Sequence, residues 1–416
     1  MPDGAALVTH AVGIEGGVTT PRGFRAAGVA CGIKRVTDPA AAAPLDLALI
    51  AADAPVTAAA VFTTNKAVAA PIMVSRDHLT RSNGRAQAIV VNSGCANACT
   101  GQQGLQVARE MAAATAAAVG CTLEQVLVAS TGVIGVQLDP GKIARGIGSA
   151  AKSLSTDGGP SAARAIMTTD PFPKSFGITV TGQDGAFSVG GMAKGSGMIE
   201  PRMATMLGFL TTDAQVDAAV LAGALKRVAD ETFNAITVDG ECSTNDCVFL
   251  LASGQSGVRV TRDNDPAFLD GLRAVAGHLA REIVRGGEGA TKLVTVRVTG
   301  AQSEPDAWLA ARTIANSPLV KTAIHGGDPN WGRLVAAAGR SGAAFVLDHA
   351  SVAIGDVPLF VQGTPHDDRA GQAAKVLDAP TVTVTVDLGT GGKHDATMWT
   401  CDFSAEYVRI NAEYRT

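Results

Sequence analysis

The chain has 416 residues, enough for two or three domains with packed cores. Its formal charge of -4, with both signs interspersed, argues against nucleic acid or an anionic membrane as partner, and aromatics at 4% are too few for base-stacking platforms. Hydrophobic residues reach 46%, yet no run approaches the roughly 18 apolar residues that span a bilayer.

The opening Met-Pro-Asp-Gly-Ala-Ala lacks a basic region followed by an apolar stretch, so no secretory signal is expected and the cytoplasm is the predicted compartment. The first 24 residues read as irregular. Strands are predicted at 45–51, 58–64 and 86–92, followed by an Ala-rich helix over 106–118 that Gly120 ends. A short buried strand at 126–130 precedes a helix over 162–168. Strands 176–182 and 186–191 flank Gln183-Asp184-Gly185, a hairpin signature. Helices near 215–230 and 266–284 lead to a strand at 293–299. The remainder reads as a helix near 305–324, strands near 344–362, a helix near 368–377, and strands at 380–387 and 396–402. Strands and helices mix throughout, so the fold class is α/β or α+β. Residues 299–305 read as a joint between subdomains.

Seven cysteines form no paired framework. Cys95 and Cys99 lie four apart with no histidine nearby to complete a zinc tetrad, so reduced structural thiols are expected. His325 and His349 show no ligand spacing and read as core or surface histidines. Gly286–Lys292 looks superficially like a phosphate loop but lacks the required Gly-Lys-Ser/Thr spacing.

The informative stretch runs from Lys194 to Asp213. It places the small Ala204 directly before Thr205, in a segment too broken by Gly and Pro on its left to be an ordinary helix or strand. That arrangement suits a chain that cuts itself to expose an N-terminal threonine. A threonine hydroxyl is a feeble nucleophile until a base stands beside it, and a free α-amine on the same residue supplies one. An acyl-transferring enzyme stored as its own precursor is the resulting expectation.

The motifs Asn92–Gly101, Ser130–Gly135, Met167–Asp170, Lys194–Ile199, Met203–Leu207, Thr232–Ala235, Gly287–Lys292, Asn316–Thr322, Gly327–Arg333 and Asn411–Thr416 occur in one order. Together they resemble the ornithine acetyltransferases, also called glutamate N-acetyltransferases. The resemblance covers nearly the whole chain. It implies an α-β-β-α-like sandwich of two stacked sheets flanked by helices, with a smaller C-terminal subdomain. Cleavage between Ala204 and Thr205 would yield an α chain (1–204) and a β chain (205–416). Residues 205–294 would complete the sandwich, and 295–416 would form the subdomain, its tail returning to the active site.

By the same resemblance Thr205 is the nucleophile with its α-amine as base, and Thr131 and Gly132 form the oxyanion hole. Gly132 would let the backbone approach substrate without a Cβ in the way. Thr169, Lys194, Thr205, Glu288, Asn411 and Thr416 would bind substrate, with Lys194 facing an α-carboxylate and Glu288 an amine. The implied reaction moves acetyl from N2-acetyl-L-ornithine to L-glutamate by a ping-pong cycle, in an α2β2 heterotetramer, without metal or organic cofactor. Some family members also take acetyl-CoA as donor, and no residue here separates the two cases. Three alternatives stay open at this stage: an aminopeptidase- or amidase-like hydrolase of the same architecture, an acetyltransferase of specialised metabolism with another acceptor, and an uncleaved binding or scaffold protein. The second is raised by Glu200-Pro201-Arg202, where the family usually carries small and uncharged residues; a local ion pair is the simpler expectation.

Overall fold

The alternating small apolar side chains of Leu47–Phe62 shape this molecule more than any other segment. In the computed structural model, which describes residues 17–35, 40, 42–182, 185–200 and 206–413, they form one 16-residue strand. The large sheet contains β1 (Phe24–Val29), β2 (Leu47–Phe62), β3 (Arg85–Cys95), β4 (Val126–Val133), β5 (Lys174–Gly182), β6 (Gly185–Lys194), β7 (Leu207–Thr212) and β9 (Cys247–Ala252). Two short strands, β8 (Gln215–Val216) and β10 (Arg259–Val260), pair beside it. The second sheet contains β11 (Leu293–Ala301), β12 (Ser351–Ile354), β13 (Val357–Val361), β14 (Thr364–Pro365), β15 (Thr381–Asp387) and β16 (His394–Cys401). The helices are α1 (Ala70–Arg81), α2 (Gly101–Val119), α3 (Pro140–Lys152), α4 (Gly159–Ala165), α5 (Ala218–Glu231), α6 (Pro266–Arg285), α7 (Glu304–Ala315), α8 (Pro318–His325), α9 (Trp331–Gly339), α10 (Ala370–Leu377) and α11 (Ala405–Glu413).

Two strands were expected where β2 runs unbroken. Pro55 cannot donate to a ladder, and the structure absorbs it as a register shift between Ala51 and Val56 against β3. Before the shift, β2 pairs with β1 and β3; after it, Val56 and Thr57 still pair with β3, and Thr57–Phe62 pair with β9. The sheet order β4-β3-β2-β9-β7-β6-β5 thus divides at β2 into two leaves.

Strand periodicity shows how the leaves pack. Ala48, Ile50, Ile89, Val91, Leu127 and Ala129 of one leaf share a core with Leu207, Phe209, Cys247, Phe249 and Leu251 of the other. The alternate residues Leu47, Leu49, Ala88, Val90, Val126 and Val128 face α2 and α3, through side chains such as Met111 and Ile147. On the far side, Ile178, Val189, Leu210, Val248 and Leu250 face α5 and α6. The layers are helix, leaf, leaf, helix: the sandwich the resemblance implied, made by one bent sheet rather than two separate ones. Its strands β6 and β7 pair antiparallel, Lys194 opposite Leu207, so residues on both sides of the 204–205 bond share one ladder.

The second sheet, ordered β14-β13-β12-β15-β11-β16, packs α7 to α10 on one face through Val294, Val296, Val298, Ile314, Ile324, Leu334 and Leu377. Its β11 and β16 also touch α6, where Leu293 and Cys401 join the α6 core and the Arg281 guanidinium lies over the Trp399 ring. Residues 299–305, expected as a joint, are the end of β11 and the first turn of α7.

Most other elements lie where expected, with longer ends. The helix before Gly120 starts five residues earlier, at Gly101, and Gly120 closes it in the left-handed region (φ 80°). The helix expected over 305–324 is two, α7 and α8, because Pro318 cannot donate and Ser317 caps the second helix at the Val320 amide. Helices α1, α3, α9 and α11 and strands β1, β7, β8, β9 and β10 were not anticipated. For α3 the signal was present: Asp139 accepts from the amides of Gly141 and Lys142, and Pro140 opens the helix. The residues between Gly182 and Gly185, which pair across the expected hairpin, lie outside the described ones. All seven cysteines are free, and no described helix is long and apolar enough to cross a membrane.

Phe249 is fully buried in the layer between the leaves, edge-on to Phe62 and tilted against Phe209, with ring centroids 5.9 Å apart in each pair. Phe249→Ala should lower unfolding stability by about 3–5 kcal/mol, read from the urea midpoint. A loss below about 1 kcal/mol would mean the leaves do not share a close-packed core.

Candidate active site

A cavity of about 150 Å³ opens where the ends of β4 and β6 meet the starts of β7 and β9. Thr131 and Gly132 reach it from β4, Lys194 from β6, and Met206 and Leu207 from the start of β7. Asp239, Glu241, Asn245 and Asp246 come from the loop leading into β9. Glu288 follows α6, and Tyr407 and Asn411, one turn apart on α11, close the far side. Six of the residues expected in the site (Thr131, Gly132, Thr169, Lys194, Glu288 and Asn411) therefore line a single cavity. Ala204, Thr205 and Thr416 lie outside the described residues; Met206, the covalent successor of Thr205, borders the cavity.

The structure gives Gly132 a steric reason to be glycine in addition to the one expected. Its φ is 127°, and a Cβ there would collide with the Gly94–Cys95 backbone of β3, 2.6 Å from the Cys95 amide nitrogen. The parallel pairing of β3 and β4 forces the choice. Beside it, Lys194 Nζ donates to Thr131 Oγ1 (3.2 Å). A hydroxyl that accepts from an ammonium keeps its own proton for another acceptor.

Glu288 is held open for a cation. Thr169 donates to Oε1 (2.7 Å) and Asn411 Nδ2 to Oε2 (2.8 Å), while the Thr169 hydroxyl also lies 2.6 Å from Ser196 Oγ. These neutral partners orient the carboxylate without cancelling its charge. Asp239 accepts from the amides of Met198 (2.7 Å) and Ile199 (2.8 Å) and from the Tyr407 hydroxyl (3.2 Å). Burial and the Asp239 charge push the Tyr407 phenol well above its ordinary value, so it stays a donor. The cavity lining carries four carboxyl side chains against one lysine, which favours an amino acid bearing an extra amine.

Behind Lys194 sits a buried charge cluster. Asp170 pairs with Lys174 Nζ at 2.6 Å, lies 3.9 Å from Lys194 Nζ, and accepts from the Gly195 amide at 2.7 Å. Burial would raise the Asp170 carboxyl, but Lys194 and Lys174 outweigh it and hold it at about 2. Glu200, buried beside the site, pairs with Arg312 of α7 (2.8 Å) and accepts from Asn316 (2.7 Å). Its expected neighbour Arg202 lies outside the described residues. His325 is not in the cavity: its Nδ1 meets Asp402 Oδ2 at 2.7 Å, an anchor for the segment entering α11.

Besides the Lys194–Thr131 bond, one side chain joins the two leaves at this edge. Asn245 Nδ2 donates to the carbonyls of Ala96 (2.6 Å) and Ser130 (2.9 Å), fixing the residue before Thr131 against the start of β9. Sequence reasoning passed over Asn245, Asp239, Asp246 and Tyr407. The tyrosine and Asn411 share the four-residue spacing of one helix face, a signal available had α11 been recognised.

The sequence matches the ArgJ family over residues 25–416. The chain belongs to that family. Among ArgJ relatives, the arginine biosynthesis bifunctional protein ArgJ of Symbiobacterium thermophilum is 48% identical over 406 residues, covering 97% of this chain and 99% of that protein. The protein of the same name from Chlorobaculum tepidum is 49% identical over 398 residues, covering 95% and 96%. In a crystal structure of ArgJ from Bacillus halodurans the matched chain is 43% identical, covering 50% of this chain and 100% of that one, with a TM-score of 0.48. An ornithine acetyltransferase from Mycobacterium tuberculosis, solved with ornithine, is 42% identical over 46% of this chain and 97% of that one, with a TM-score of 0.41.

Two predictions follow from the cluster and the stitch. The Asp170 carboxyl stays charged down to about pH 2 when folded but only to about pH 4 when unfolded, so its stabilisation is complete above about pH 4 and disappears as pH falls towards 2. Asp170→Asn should erase that acid-side slope and, by leaving Lys174 buried and unpaired, cost about 3–5 kcal/mol at neutral pH; an unchanged acid titration of stability would refute the assignment. Asn245→Ala strands two buried carbonyls and should cost about 1–3 kcal/mol together with most turnover, measured by urea unfolding and steady-state rate. Full activity in that variant would show that the leaves hold register without it.

Proposed function

We propose that this ArgJ family member is a glutamate N-acetyltransferase of arginine biosynthesis, carrying acetyl from N2-acetyl-L-ornithine to L-glutamate on the Thr205 hydroxyl. The observation that carries the reading is the cavity itself. It borders the residue after Thr205, holds one lysine for a carboxylate and an oriented glutamate for an amine, and ends in a hydroxyl and an amide on β4.

In this reading the chain first cuts itself between Ala204 and Thr205. The Thr205 oxygen attacks the preceding carbonyl, and the ester hydrolyses. The α-amine so freed has an ordinary pKa near 8, close enough to neutrality to take a proton from the hydroxyl. Acetylornithine then binds with its carboxylate towards Lys194 and its side-chain amine towards Glu288, whose neutral partners Thr169 and Asn411 keep it aimed. The threonine oxygen attacks the acetyl carbonyl, whose oxygen gathers charge against the Thr131 hydroxyl and the Gly132 amide; each such donor lowers the barrier by roughly 3 kcal/mol. The C–N bond breaks, ornithine leaves, and glutamate takes the acetyl group from the ester by the reverse steps. We further place the enzyme in the cytoplasm as an α2β2 assembly; the free thiols suit a reducing compartment, and the ladder shared by β6 and β7 would keep each α fragment joined to its β fragment.

Intact-mass measurement tests the reading. Wild-type protein should run as two fragments, and acetylornithine alone should add one acetyl group to the fragment beginning at Thr205, which glutamate then discharges. Thr205→Ala should remain a single, inactive chain. An active chain with the 204–205 bond unbroken would overturn the proposal, and acetylornithine loss indifferent to glutamate would make the protein a hydrolase.

A further inference from the structure

Of the four carboxyl groups lining the cavity, Glu241 is exposed, and Asp239 and Glu288 are engaged by the donors described above. Asp246 differs. Its residue is 2% exposed, and Oδ2 is enclosed with no hydrogen-bond partner among the described residues. Leaving such an atom unmet costs about 1–3 kcal/mol, and a folded chain that tolerates the cost usually reserves the atom for something that arrives later.

Its location says what arrives. Leu207 is register-paired with Cys247, and the Cys247 amide donates to the Met206 carbonyl (3.1 Å). Asp246 therefore stands level with Met206, one residue from the proposed nucleophile in sequence. The groups bearing on its carboxyl are the Lys194 ammonium from β6 and the hydroxyls of Ser243 and Thr63. The adjoining Cys247 thiol is itself pushed up, by burial and by Asp246. Burial pushes the Asp246 carboxyl well above the usual carboxylate range, against the pull of Ser243, Lys194 and Thr63. A neutral acid beside a reacting amide holds a transferable proton.

We propose that Asp246 is the proton relay of acetyl transfer, giving a proton to the amine that leaves and recovering one from the nucleophile's hydroxyl. This rests on the acetyl-Thr205 reading above. In the first half-reaction the amide C–N bond breaks as the ester C–O bond forms. The Asp246 proton passes to the departing nitrogen, and the hydroxyl proton, carried by the Thr205 α-amine, restores the acid. In the second half, the glutamate amine forms the new C–N bond while the ester C–O bond breaks. Asp246 returns a proton through the α-amine to the threonine oxygen and takes one from the attacking nitrogen. Each half conserves protons and needs no further reactant.

Asp246→Asn keeps the shape of the neutral acid and its ability to donate a hydrogen bond, but it cannot release a proton. The self-cut pair should still form, and kcat should fall about a hundredfold or more while KM for acetylornithine changes by less than about twofold. The alkaline limb of the kcat profile should vanish with it. Asp246→Glu, which keeps a titrating acid, should recover part of kcat and restore an alkaline limb at a shifted position. A variant Asn enzyme with wild-type kcat and pH profile overturns the relay. So does an equal fall in both variants with the profile unmoved, the mark of a group that only holds shape. If the Asn variant fails to fold, the Glu variant decides alone: a displaced alkaline limb supports the relay and an unmoved one refutes it. Wild-type protein that never acquires an acetyl group on Thr205 defeats the parent reading and the relay together. Acetylated wild type with an indifferent Asn variant defeats the relay only.

Discussion

The active site depends on one amide side chain. Asn245 stands at the start of β9, in the leaf that carries α5 and α6, and its Nδ2 reaches across to Ala96 and Ser130 in the other leaf. Hydrophobic burial alone holds two leaves together but sets their relative position loosely, because apolar contact is non-directional. Two short hydrogen bonds from one nitrogen set it closely. They bring the end of β4, with Thr131 and Gly132, to the edge where Lys194 and Met206 lie. The bend at Pro55 makes this meeting topologically available, since one continuous strand belongs to both leaves.

Charge placement follows the same edge. Lys194 is buried and would be costly to keep ionised alone. The deeper pair Asp170–Lys174 adds a carboxylate whose second oxygen faces Lys194, and Asp170 also fixes the backbone at Gly195. On the opposite wall, acids outnumber bases, and each oriented acid is held by neutral donors: backbone amides for Asp239, a threonine and an asparagine for Glu288. The pocket thereby offers both an ammonium and oriented carboxylates to what it binds. An amino acid with a carboxylate at one end and an amine at the other finds a partner for each.

Periodicity and turn chemistry made the architecture legible. The alternation in β3 and β4, the Ala-rich helix closed by Gly120 and the strand at 293–299 are all plain in the residue pattern, and six residues named from the family resemblance line one cavity. What escaped depends on partners distant in sequence. Pro55 reads as a strand breaker unless the bulge against β3 is known. Asn316-Ser317-Pro318 divides a helix so that Asn316 can serve Glu200 and Thr237, contacts that span 116 and 79 residues. Asp246 reads as one loop acid among many, because only its enclosure distinguishes it. Gly132 was singled out and lines the cavity, but its clash with the Gly94–Cys95 backbone lies in a neighbouring strand and could not be read from the residue pattern.

Helix α11 has no buried residue, yet two of its side chains complete the cavity, anchored through Glu288 and Asp239. Those side chains belong to residues 407 and 411, so the ribosome delivers them after every other wall. A nascent polypeptide can thus assemble the sandwich and its bent sheet while the acid-lined trough still gapes on one side.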